Sequence, residues 1–137
     1  MSTPTPRIPW WRRWFGSRSE RAAGRYLRRL GYRIIARNYS CPHGELDLIA
    51  VDGDGIVFVE VRSTEGTDPE RPTESVDVAK QTKLTRSALH FLQAKNLLNR
   101  PTRFDVLILC WPASASEPEI YHHPHAFEAV GRFQMHS

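Results

Sequence analysis

Residues 45–63, ELDLIAVDGDGIVFVEVRS, hold two runs of apolar and β-branched residues on either side of Asp52-Gly53-Asp54-Gly55. Aspartate and glycine in that order supply the positive φ angles of a tight turn, so the stretch predicts a β-hairpin. If the strands pair symmetrically about the turn, Asp47 stands opposite Glu60 and Glu45 opposite Arg62. Side chains alternate along a strand, so positions 45, 47, 60 and 62 leave the hairpin on one face. Opposed carboxylates repel and weaken a sheet. Two readings of them stand at this point. A hard divalent cation such as Mg²⁺ takes carboxylate oxygens while keeping waters for a substrate phosphate. Alternatively, the hairpin end is exposed, with a Glu45–Arg62 ion pair and a hydrated Asp47.

Outward from the hairpin, residues 18–30 predict a helix, with Ser17 as N-cap and Gly31 at the position of a C′ glycine. Ala23, Leu27 and Leu30 share its apolar face, and Glu20 falls on the same stripe. An acid there can reach a site on the sheet; Ser17 and Glu20 also have the spacing of a capping box. Residues 32–39 (YRIIARNY) predict a strand before the hairpin, and the polar, proline-containing residues 64–74 a loop after it. A second amphipathic helix is expected over residues 77–96, with Leu84, Ala88, Phe91 and Leu92 inward. Gln81 lies on that inward side, where it can bond a phosphate or an attacking water, and Lys80 and Lys83 flank it. Residues 103–109 (RFDVLIL) predict a buried strand, and residues 120–122 a short last one. The order α-β-β-β-α-β-(β) describes a mixed sheet flanked by helices.

The 137 residues suit one domain, expected over 17–130 between a basic, aromatic tail at 1–16 and a short tail at 131–137. Charge is uneven. Residues 1–40 carry ten arginines and one acid, a net of +9, while the other 97 residues carry nine bases and fourteen acids, a net of −5. A basic end on an acidic body suits a polyanionic partner beside a carboxylate site, although arginines also simply solvate a helix. Arg21, Arg25, Arg28, Lys80 and Lys83 are the candidates for gripping a nucleic-acid backbone without reading sequence.

No apolar run has the length of a transmembrane helix, and residues 1–16 lack the apolar centre of a signal peptide. Cys41 and Cys110, far apart and without a CxxC spacing, read as reduced thiols in a cytoplasmic protein. His122, His123 and His125, with His136, invite a zinc site, but Pro124 interrupts the ligand spacing such a site needs.

The segments ERAAGRYLRRLGYRIIARNY, GELDLIAVDG and VFVEVRS, followed by AKQTKL and RFDVLIL, resemble the YraN-like family of bacterial proteins over about residues 17–127. That family is similar in fold to Holliday junction resolvases and the wider PD-(D/E)xK nuclease superfamily. The resemblance implies a restriction-endonuclease-like αβββαβ core, in which Asp47 is the "D" and Glu60-Val61-Arg62 the "(D/E)xK". It also implies that Glu20 and Gln81 match the glutamate and glutamine of the two helices. The expected function is hydrolysis of phosphodiester bonds in DNA, branched or flapped forms included. Asp47 and Glu60 are the expected ligands of Mg²⁺ or Mn²⁺, with Glu20, Arg62 and Gln81 completing the site. The alternative is a nucleic-acid-binding protein that keeps the nuclease fold without catalysis. One departure bears on the choice. The superfamily pattern ends in lysine, and Arg62 cannot act as a neutral amine. No membrane partner is expected, and a homodimer is neither required nor excluded by the sequence.

Overall fold

The computed structural model of the chain describes residues 10–65 and 76–130, with side chains from residue 18 onward. Helix α1 (Trp10–Arg29) precedes strands β1 (Arg33–Cys41), β2 (Gly44–Asp52) and β3 (Gly55–Glu65). Helix α2 (Val78–Ala94) then leads to β4 (Thr102–Trp111) and β5 (Glu119–Phe127). The five strands form one sheet in the order β1-β2-β3-β4-β5. Only β3 and β4 run parallel; the other neighbours are antiparallel. A parallel pair needs a crossover, and α2 supplies it.

The hairpin forms in the expected register, from Asp52↔Gly55 through Val51↔Ile56 to Leu48↔Val59. Its alternation builds the two halves of the core. Leu48, Val57, Val59 and Val61 meet Ala22, Ala23 and Leu27 of α1, together with Leu107, Leu109 and Trp111. Ile49, Ile56 and Phe58 meet Leu84, Ala88, Phe91 and Leu92 of α2, together with Phe104. The two helices therefore cover opposite faces of the sheet. This mixed sheet with its helices has the form of a restriction-endonuclease-like αβ core.

Three details depart from the sequence reading. Helix α1 begins at Trp10, inside the stretch read as a tail, so Ser17 lies within the helix and is not its N-cap. The helix thus has no N-terminus at Ser17 for a capping box to close. Leu30 lies beyond the helix end and is exposed, not part of its apolar face. Strand β5 runs through Pro124 to Phe127, much further than residues 120–122. As an edge strand it tolerates a proline, and its register shifts opposite Phe104 and Val106.

The ends of both helices follow local chemistry. At the end of α1 the amide of Gly31 donates to the Arg28 carbonyl (2.9 Å) and that of Tyr32 to the Leu27 carbonyl (3.0 Å). This is the double closure that a glycine at C′ permits, and Gly31 has φ +95°. At the start of α2 the Asp77 carboxylate accepts the Lys80 amide at 2.9 Å.

Candidate functional site

Beyond Leu48↔Val59 the hairpin ladder gives way to a side chain. The Asp47 carboxylate accepts the Val61 amide at 2.8 Å through Oδ2, taking the place that a strand carbonyl would fill in a continued ladder. Asp47 is thereby fixed against the residue between Glu60 and Arg62. The paired register does not reach Glu45, which is exposed and stands opposite Ser40 of β1. The expected facing of Glu45 and Arg62 is not part of the ladder. Arg62 instead turns along its own strand, with Nε 3.2 Å from Glu60 Oε2. Lys80 of α2 reaches the same oxygen at 3.7 Å.

Asp47, Glu60 and Arg62 are 3%, 4% and 7% exposed. Withdrawing charges from water is expensive even when they pair, and an apolar set of equal volume commonly serves stability better. Three such residues at the open end of a core hairpin are therefore a costly arrangement for packing alone. Asp47 and Glu60 both border a small cavity of about 10 Å³, lined also by Leu46, Phe58, Val59, Leu84, Phe104, Asp105 and Phe127. That is close to the room one water needs.

Gln81 follows Lys80 on α2 and donates its amide to the Val76 carbonyl at 3.2 Å, fastening the entry to the helix. It also borders a groove of about 450 Å³ whose other walls include Val106 and residues 122–127. Lys83 is exposed on α2. Glu20 is half-buried on α1, and its carboxylate accepts the Asn38 side-chain amide of β1 at 3.1 Å. Arg21, Arg25 and Arg28 lie exposed on α1, across the sheet from Lys80, and Arg25 approaches Glu117 at 3.7 Å. Among the described residues no three His, Cys, Asp or Glu side chains converge as a ready metal cage. His136 lies outside the described residues.

One charged centre was not singled out from the sequence. Asp105, fully buried in β4, accepts Arg103 Nε at 3.0 Å and the His125 amide at 3.1 Å through Oδ1, and contacts His122 Nε2 at 2.8 Å through Oδ2. His122 Nδ1 lies 3.1 Å from the Tyr26 hydroxyl of α1. Arg103 extends the network to the Tyr32 hydroxyl and, at 3.2 Å, to Asp52. Burial alone would raise the Asp105 pKa; the bonds from His122, Arg103 and the His125 amide outweigh it and hold the carboxyl below its ordinary value. Burial raises Tyr26 above the usual phenol range, with the charges of Tyr32 and Asp105 adding to it. The signal was present, since an acid inside the apolar run FDVLIL cannot be buried without partners. Its partners, however, come from elements far away in sequence. With both ring nitrogens of His122 engaged, the network binds β5 and α1 to the sheet.

Cys41, partly buried, and Cys110, fully buried, are not joined in a disulfide. Among the described residues no helix is long and apolar enough to cross a membrane.

Fold and site together define a mixed α/β protein with an endonuclease-like core and a buried acid–acid–arginine cluster at the open end of its hairpin. Residues 19–109 match the model of uncharacterised protein family UPF0102. The chain belongs to that family, which is the YraN-like family of the sequence reading. It is 44% identical over 119 residues to a UPF0102 protein of Rhodopirellula baltica, covering 85% of this chain and 71% of that one. A UPF0102 protein of Chloroflexus aurantiacus is 41% identical over 129 residues, 93% of this chain and 98% of its own. One from Moorella thermoacetica is 45% identical over 96 residues, 70% and 80% of the two chains.

Proposed function

We propose that this protein is a Mg²⁺- or Mn²⁺-dependent nuclease that hydrolyses phosphodiester bonds in DNA, branched or flapped forms included. The observation that carries this reading is the burial of Asp47 and Glu60 against one small void, with Arg62 and Lys80 gathered on Glu60. The donor set fits a hard cation, since both ligands are carboxylates. Two protein ligands also suit Mg²⁺, which keeps several waters and takes further oxygens from phosphate. When bound, such an ion lowers the pKa of water and neutralises charge on a phosphoryl group.

The chain's own residues have separate tasks in this reading. The Val61 amide orients the Asp47 carboxylate, so that its geometry is set before any ligand arrives. Arg62 holds Glu60 and supplies a permanent positive charge for the scissile phosphate, as fixed cations do in phosphoryl transfer. Lys80 completes the cationic side of the site from α2. Gln81 acts on the attacking water from α2, while Glu20 lies on α1 with its carboxylate held by Asn38, on the other face of the sheet from the acidic cluster.

A second reading is favoured by the same ion pairs. Glu60 already has two cations beside it, and Arg62 stands where the superfamily pattern has lysine. A nucleic-acid-binding protein with a silent site would look the same. Cleavage of labelled linear, flapped and four-way DNA and of RNA, with Mg²⁺ or Mn²⁺, separates the two. Cleavage that is lost in Asp47→Asn supports the nuclease. Salt-sensitive binding without cleavage, equal in both proteins, supports the binding module.

A further inference from the structure

We infer that the nucleic-acid strand held at the Asp47–Glu60 site runs along α2 into a groove formed with the β1–β2 turn, and not across the arginine face of α1. This rests on the reading of a nucleic-acid-binding site given above and assigns its path.

Glu60 contacts Lys80, so the acidic cluster opens toward α2, while α1 packs on the other face of the sheet. Arg21, Arg25 and Arg28 belong to the arginine-rich first forty residues, yet they lie on the far layer.

On α2, Lys80, Lys83, Arg86 and His90 recur at intervals of three, three and four residues, which keeps them on one side of the helix. From Lys80 to His90 the stripe rises about 15 Å, the axial length of roughly four nucleotides in one strand of a duplex. Lys83 and Arg86 are exposed and form no ion pair with an acid among the described residues. On α1, by contrast, Arg25 approaches Glu117 and the Arg18 guanidinium covers the Trp111 ring at 3.6 Å.

At the end of the stripe, a groove of about 430 Å³ is lined by His43, Arg86, Leu89, His90 and Gln93. Its His90 ring is steadied by the Tyr39 hydroxyl, 2.7 Å from Nδ1, and meets the His43 ring edge-on at 6.1 Å. An arginine, two imidazoles and an amide offer a phosphate several donors, and the rings offer a base a flat face. Gly44, next to His43, brings this turn against α2. Its φ is +145°, and a Cβ there would stand 3.4 Å from Ser87 Oγ.

The test is fluorescence anisotropy of a labelled single-stranded DNA oligonucleotide across a salt series in EDTA, where cleavage is silent. The triple variant Lys83→Ala/Arg86→Ala/His43→Ala changes surface side chains only and is compared with Arg21→Ala/Arg25→Ala/Arg28→Ala. The expected result is binding about ten-fold weaker or more for the α2 set, with a salt slope smaller by about 1.4 for its two permanent charges. The α1 set should change binding less than about two-fold. Loss confined to the α1 set, or equal loss in both, overturns the path along α2. Either result leaves the nuclease reading to its own cleavage assay. Wild type that neither binds nor cuts removes both.

Discussion

The Asp47 carboxylate accepts the buried amide of Val61 at 2.8 Å, so the residue most exposed to a functional interpretation is also part of the sheet's hydrogen bonding. Charge and acceptor can be separated by substitution. Asp47→Ala leaves a buried N–H without its acceptor and should lower stability by about 1–3 kcal/mol. Asp47→Asn keeps an oxygen in place and should stay within about 1 kcal/mol of wild type while losing metal-dependent cleavage. Urea unfolding of the two variants beside wild type checks the order. Equal stability of all three would mean that the Val61 bond contributes nothing.

Glu60 and Arg62 form the second pair with a definite consequence. Removing the acid alone, as in Glu60→Ala, takes a carboxylate away from a buried guanidinium and should cost roughly 3–5 kcal/mol, less whatever Lys80's departure to solvent relieves. Arg62→Lys keeps a cation beside Glu60 and matches the lysine of the nuclease pattern that the sequence resembles. It should fold like wild type and cleave faster with Mg²⁺. A variant that folds well and cuts more slowly would show that the planar guanidinium is the working group here.

Asp105 gives a prediction in pH. Its folded pKa is depressed below the ordinary 3.8, so its contribution is fully present above that value and is lost as pH falls through the lower folded value. Asp105→Asn cannot follow that titration and also breaks a buried network, at a cost of roughly 3 kcal/mol near neutral pH. The stability gap between wild type and variant should therefore be wide at pH 6 and narrow toward pH 2. Denaturant midpoints across that range check this, and a gap independent of pH would contradict the assignment.

Gly31 tests the end of α1. At φ +95° any side chain is strained, and Gly31→Ala should destabilise by about 1 kcal/mol without touching the site. Thermal unfolding should fall by a few degrees, with DNA binding unchanged. An unaltered melting temperature would mean that the turn relaxes freely.

How much of this was legible beforehand depended on whether the determinant was local. The turn at residues 52–55 set the hairpin register as far as Leu48↔Val59. The expected pairing of Asp47 with Glu60 is not part of the ladder: the Asp47 side chain bonds the Val61 amide instead, which a count of paired residues does not contain. The start of α1 did not follow. Ser17 with Glu20 has the spacing of a capping box, and only the longer helix, begun at Trp10, shows that the pattern is incidental. The length of β5 was hidden because Pro124 argues against a strand unless its edge position is known. Asp105 was hidden for a related reason: His122 reaches it only after β4 and β5 pair, and Tyr26 and Tyr32 join the network through His122 and Arg103 only after α1 packs. The position of the α1 arginines opposite the acidic cluster likewise needed the layer order, which charge counts do not contain.

The measurement that bears most directly on the central claim is cleavage of labelled four-way, flapped and linear DNA by wild type and Asp47→Asn, titrated with Mg²⁺ and Mn²⁺. We expect cleavage by wild type that rises with metal and vanishes in EDTA, and none by a fully folded Asp47→Asn. Cleavage by that variant at the wild-type rate, or none by wild type on any substrate with either metal, would contradict a nuclease centred on Asp47 and Glu60.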